Sequence, residues 1–447
     1  MAEAARRDPD CGLCAWGHAW ALGPTINYGL DPEQLGQARA AALKAQALLA
    51  KGSGRDRMLA DALVARYAPR GGDKAYAKAM QAIAARHPDD LVIQVWTADA
   101  LMIADKPALA VPILETVLAR EPDNAGAIHF YIHATEWIGQ PGKAETYADA
   151  LGRIAPGASH LIHMPSHTYY QIGRYRDAAR VNIEAIEADA AWLKRTGGEG
   201  DAFKIGYYGH NVSYALGGAM MSGDAAAGLR LADHYRTIKT SSPWAKASAG
   251  RAWFAYGRYG DIDKVLAMPA PENAIQKTLW HYGRGEALAR KRDSAGVRAE
   301  AAAVLASREA IKRDNMTDFI EFADIAYEVL LGRAAMLDGF APQAAKHYRK
   351  AAELQERKLG DFRDPPPWWY PVRRSYAAAL LADGKFDLAI KETDKVLAKW
   401  PHDPLTLLVA SRAKAHKGQA DAAETSLAAA RREWVGSSLT DFAPALL

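Results

Sequence analysis

Ala104-Asp105-Lys106-Pro107-Ala108-Leu109-Ala110 reads as the end of one helix, a tight turn and the start of another. Ile138-Gly139-Gln140-Pro141-Gly142-Lys143-Ala144 and Ile172-Gly173-Arg174-Tyr175-Arg176-Asp177-Ala178 repeat that reading. The turn residues Asp105, Gly139 and Gly173 are 34 apart, and so are the small residues Ala110, Ala144 and Ala178 that follow five later. Pro122 and Pro156 keep the same step, and Gly384 and Gly418, with Ala389 and Ala423, take it up again. Gly339 and Ala344 join the series if an insertion from Leu359 to Trp369 precedes the next unit. A fixed period of this kind describes a helix pair that cannot bury its apolar face alone. Stacked neighbours then share one continuous core, so the array is a solenoid.

This pattern, with glycine at the turn, alanine in the second helix and proline at the end, resembles the tetratricopeptide repeat. The resemblance implies an all-α solenoid, a right-handed superhelix of helix pairs that can close around a concave groove. Residues 1–90 read as N-terminal helical repeats with a truncated first one. Residues 91–242 carry clear units, 243–324 read as divergent helical repeats, and 325–447 as C-terminal units with a Pro/Trp loop inserted at 359–369. The clear units start near Leu91, Ala125, Ser159, Gly209, Ile325, Tyr370 and Pro404. Breaks fall at Ala68–Asp73, Thr196–Asp201, Met268–Glu272 and Asp361–Pro367, all rich in Gly, Pro or Asp.

Composition narrows the function classes. A chain of 447 residues is long enough for about three ordinary domains, unless it is such a repeat array. Lys+Arg number 56 against 52 Asp+Glu, a balance that excludes a strongly basic nucleic-acid binder. No run approaches the ~20 apolar residues of a membrane-spanning helix, so no membrane insertion is expected. The chain as given opens without a basic-then-apolar leader, which reads as cytoplasmic. Two cysteines, Cys11 and Cys14, exclude a disulfide framework. They read either as a redox or half-zinc motif or, more simply, as two small buried residues in a helix.

The histidines keep the period. His129 and His133 are four apart, His163 and His167 are four apart, and corresponding members are 34 apart. Residues i and i+4 share a helix face. By the resemblance these positions line the concave groove. His160 and His210 fall at the second position of their units, Asp99 and Glu136 on the same face. Histidines with two carboxylates form a metal-ligand inventory, since neutral imidazole suits Cu, Fe, Zn or Ni. Here His129, His133, His163, His167, His160 and His210 are candidate ligands, and Glu136 and Asp99 candidate proton-handling groups. Pro165 interrupts the second pair: either the helix kinks there or it starts near Met164. His281 and the stiff stretch Pro365–Tyr370, with Trp369 and Arg374, are candidates for holding a small molecule, Arg374 as an anchor for an anion.

Several phrases, among them Asp8–Gly17, the His129 phrase through Glu136, His160–Tyr169 and Trp368–Arg373, resemble a large bacterial family of tetratricopeptide repeat proteins with no assigned activity. The resemblance implies fold and not function. Members of that family carry a further upstream helix, often after an export signal, which would place the protein in the periplasm or outside the cell. Two readings of function follow. One is metal-dependent chemistry, redox before hydrolytic in the absence of an HExxH motif, on a small molecule or peptide in the groove. The other is a non-enzymatic scaffold whose groove takes a peptide or a partner protein.

Overall fold

In the computed structural model of this chain, the residues singled out by the period sit where the backbone turns left-handed. Asp105 (φ 59°), Gly139 (72°), Gly173 (86°), Gly339 (81°), Gly384 (73°) and Gly418 (73°) each end a first helix and let the second fold back. A Cβ is strained in this region, which is why glycine holds all but one of these places. Ala110, Ala144, Ala178, Ala344 and Ala389 are fully buried, and their small side chains let the paired helices approach. Many helices start at side-chain caps: Asp90, Asn124, Asp224 and Asp403 each accept a first-turn amide. Asp31 and Gln34 form a reciprocal capping box ahead of Pro32–Leu49.

The structure describes residues 1–68, 72–197, 206–237, 243–314, 317–360, 365–436, 439 and 446. The expected breaks at 69–71, 198–201 and 361–364, the last within the Pro/Trp loop, lie outside the described residues. All regular elements among the described residues are helical. None of these helices is long and apolar enough to cross a membrane.

The chain divides into two compact units, Met1–Ile154 and Ala155–Leu447. In each, nearly every helix packs on the next, and first helices of successive pairs also touch. Leu91–Ile103 meets Ala125–Trp137 in the first unit, and Ala274–Arg290 meets Ile320–Leu337 in the second. This is the stacking of a tetratricopeptide-type α-solenoid.

The first unit buries Trp16 beside Trp96, ring centroids 4.6 Å apart, and the Trp16 Nε1–H donates to Leu59 O at 3.0 Å. In the second unit the early and late repeats meet. The Tyr175 hydroxyl donates to Pro401 O at 3.1 Å, and the Val435 amide donates to Ser222 O at 2.8 Å. Buried pairs Arg333–Glu286 and Arg374–Asp403 lie between its helices.

Two local expectations resolve here. Pro165 opens a new helix, Pro165–Ile172, after a short lead-in Ser159–His163, so the helix restarts and does not kink. Cys11 and Cys14 are not two small buried residues in a helix. They form a disulfide, with Cys11 at the N-cap of Gly12–Ala21 and both residues half-buried.

Candidate metal centre

In the second unit, the lead-in Ser159–His163, the helix Pro165–Ile172 and the helix Tyr208–Ser222 bring His163, His167 and His210 together. One ring nitrogen from each lies within 4.8 Å of the others. His163 and His167 are buried, at 0% and 1% exposure, and their Nε2 atoms are 3.0 Å apart. The break at Pro165 does not spoil the i, i+4 relation, because Met164 keeps helical dihedrals and the His167 amide still bonds back to Met164 O.

Neighbours set the protons on these rings. The Asn182 amide donates to Ala178 O at 2.7 Å, which turns its Oδ1 toward His163 Nδ1, also at 2.7 Å. The Nδ1 of His163 therefore carries the hydrogen and its Nε2 offers a lone pair. His167 Nε2–H donates to that lone pair, and its Nδ1 accepts from the Tyr214 hydroxyl at 3.2 Å. Burial, with help from His210, His167 and His160, holds His163 well below the usual histidine range, against the pull of Asn182. His163 is thus a neutral imidazole with an inward-facing nitrogen, the state a metal requires.

A comparison within the chain shows how this was arranged. The bond from His163 to Asn182 spans 19 residues, from a first helix to the second helix of the same pair. The same 19-residue register carries His281 with Glu300, Glu328 with His347, and Arg373 with Glu392. In those three pairs a carboxylate faces a cation or a histidine. At His163 the partner is instead a neutral amide, which adds no negative charge to hold a proton, so burial keeps the imidazole uncharged.

Tyr207 and Tyr214 complete the surroundings. Tyr207 stacks on His160 at 4.2 Å and holds the left-handed region at φ 72°, costly for a residue with a Cβ and typical of functional sites. His160 lies 5.8 Å from His163, ring to ring.

The first unit holds its own group. His129 and His133 are 5.1 Å apart, ring to ring, and His133 Nδ1 is 3.7 Å from Glu136 Oε2. Asp99 is in the same unit but faces different charges, Arg66 and Asp73. Its carboxyl is pushed up to about 7, chiefly by burial.

The candidates for holding a small molecule are placed elsewhere in the second unit. His281 is bonded to Glu300 at 2.7 Å, and no metal-ligand group among the described residues includes it. Arg374 is 1% exposed, with its Nη1 at 2.9 and 3.1 Å from the two Asp403 oxygens, so its charge is already matched. Trp369 packs over it at 5.4 Å. The Pro/Trp stretch does border a cavity of about 70 Å³, lined among others by Tyr170, Trp400, Pro366, Pro367 and Trp368.

Sequence reasoning missed Asn182, Tyr207 and Tyr214. Tyr214 was findable, four residues after His210 on the same helix face. Asn182 was findable only by someone who knew the 19-residue register.

No family profile matches this chain, and no curated protein sequence does either. Solved structures with similar folds include the human IFIT1 dimer with m7Gppp-AAAA, 12% identical, TM-score 0.35, spanning 90% of this chain and 86% of that one. Another is the APC/C hetero-tetramer Cut9-Hcn1, 12% identical, TM-score 0.31, spanning 91% and 98%. Likeness this low leaves the function open.

Proposed function

We propose that the second unit binds a transition metal ion of the copper, iron or zinc class through His163, His167 and His210, with His160 beside them. The carrying observation is the pair of buried Nε2 atoms 3.0 Å apart, one of them turned inward by Asn182. Metal–imidazole bonds of ~2.0–2.1 Å let two nitrogens at that spacing reach one ion, once the His167 hydrogen moves from Nε2 to Nδ1 and is donated to the Tyr214 oxygen. The donor set fits the group: His163 is held neutral by burial, His163 and His167 are buried, and Asn182 and Tyr214 hold these two rings from behind. When bound, such an ion supplies Lewis-acid or one-electron chemistry to a small molecule. Asn182 orients His163, Tyr214 orients His167, and the packed aromatic rings keep bulk water from the nitrogens. The absence of an HExxH helix and the all-histidine set favour redox over hydrolytic chemistry.

The test is metal analysis of protein purified without a histidine tag, then loaded and desalted. The expected result is about one ion per chain, lost in His163→Ala and His167→Ala with helical content retained. A chain that retains well under one ion after loading with Cu, Zn, Fe, Ni or Mn ends the proposal.

The second reading is a non-enzymatic scaffold that binds a peptide or partner protein. The solenoid fold favours it, because stacked helix pairs present extended surfaces. Partner capture that survives exhaustive chelation and the loss of both histidine pairs would support it over the metal site.

A further inference from the structure

Cys11-Gly12-Leu13-Cys14 lies in the first unit, outside everything used above. The bridge joins residues three apart. Closing so short a loop removes little entropy from the unfolded chain, because the loop-closure term grows with the logarithm of loop length. Nor does the helix Gly12–Ala21 need the bridge to stay in place. Trp16 and Ala19 are buried, the Trp16 indole donates to Leu59 O at 3.0 Å, and the Tyr67 hydroxyl donates to Ala19 O at 3.0 Å. A purely structural account therefore leaves the bridge with little to do.

Its surroundings suit exchange. Cys11 is the N-cap, and its sulfur accepts the Cys14 amide hydrogen at 3.2 Å. On reduction that amide and the helix N-terminus stabilise a thiolate at Cys11. Both cysteines are half-buried rather than sealed in the core. Leu13, between them, is 45% exposed and gives an apolar contact beside the sulfurs. Gly12 is fitted against Leu49 so closely that a Cβ there would collide with that side chain, which holds the motif in one place. The flanking carboxylates Asp8 and Asp10 oppose the thiolate, and the amide bond acts directly on the sulfur.

We propose that Cys11–Cys14 is an exchange-active disulfide that takes an electron pair from a dithiol. A partner thiolate attacks Cys11 Sγ, the S–S bond breaks, and its electron pair leaves on Cys14 sulfur, which takes a proton. The partner's second thiol then attacks its own bridged sulfur and releases Cys11 as the capped thiolate. The partner ends as a disulfide, having given up two electrons and two protons; this chain holds both electrons, Cys14 takes one proton, and the other passes to solvent while Cys11 stays a thiolate.

The test uses the intact full chain with dithiothreitol as the dithiol and glutathione disulfide as the oxidant. Dithiothreitol should reduce the bridge in native buffer, read by maleimide mass shift, with the helical circular dichroism unchanged. In Cys14→Ser, Cys11 should form the glutathione mixed disulfide at least ~10-fold faster than Cys14 does in Cys11→Ser. A bridge reduced only after denaturant is added overturns the proposal, as does a loss of helical signal on reduction, which would mark a staple. Equal rates in the two single-cysteine variants overturn the assignment of Cys11. If either variant fails to fold, native reduction of the parent chain still decides.

Discussion

Replacing Asp99 by asparagine should stabilise the chain, and the gain should grow with pH. Asp99 is 5% exposed, and burial pushes its carboxyl up to about 7 from an ordinary 3.8, with Arg66 opposing and Asp73 adding to the shift. The folded state therefore keeps this proton across a range in which the unfolded chain releases it. Raising the pH through that window favours unfolding: the cost is small below the unfolded value and complete above the folded one. A shift of about 3 units corresponds to about 4 kcal/mol when fully developed, of which roughly 2–3 kcal/mol accrues between pH 5 and pH 8. Asparagine keeps the shape and cannot ionise, so it escapes this cost. Any fixed penalty for a buried amide is the same at both pH values and cancels in the comparison. The assay is urea unfolding of parent and Asp99→Asn at pH 5 and pH 8, followed by fluorescence of Trp16, Trp20 and Trp96 in the same unit. The difference in unfolding free energy should move in favour of the variant by roughly 2–3 kcal/mol between the two pH values. A difference that does not change with pH would refute the reasoning.

Three further outcomes are expected. Asn182→Leu should leave helical content intact but weaken metal binding by about 10–100-fold, because His163 loses the acceptor that sets its tautomer; isothermal titration with the loaded metal checks this. Metal affinity should fall steeply below about pH 6, with proton release on binding near neutrality, since the ion competes with protons for the same nitrogens; pH-stat titration reads the protons. Gly139→Ala and Gly173→Ala both force a Cβ into the left-handed region, at about 1–2 kcal/mol each. At Gly173 the added carbon also runs into the Pro401 carbonyl, whereas Gly139 faces open space, so chemical denaturation should show Gly173→Ala as clearly the more damaging.

How far the candidate site could be read in advance depends on how local each contact is. The paired histidines were legible because i, i+4 and a 34-residue step are both consequences of helix and repeat geometry. The roles of Arg374 and Trp369 were not. Arg374 starts a helix near an aromatic loop, and nothing local tells that Asp403, 29 residues later, neutralises it in the interior. The cysteine pair left a redox or half-zinc motif and two small buried residues both open, because spacing alone does not say whether two sulfurs at a helix start face each other.

The sequence by itself determined the backbone plan. Positive-φ turns at Asp105, Gly139 and Gly173, buried alanines five residues on, and capped helix starts all follow from steric rules that act within a few residues. What the tertiary structure decided was which side chains meet across helices. His163 finds Asn182 on the second helix of its pair, His210 arrives from the next first helix, and Tyr175 reaches Pro401 across 226 residues. Those meetings depend on the small rotation between stacked helix pairs, which accumulates from packing of the whole array and is written in no single repeat.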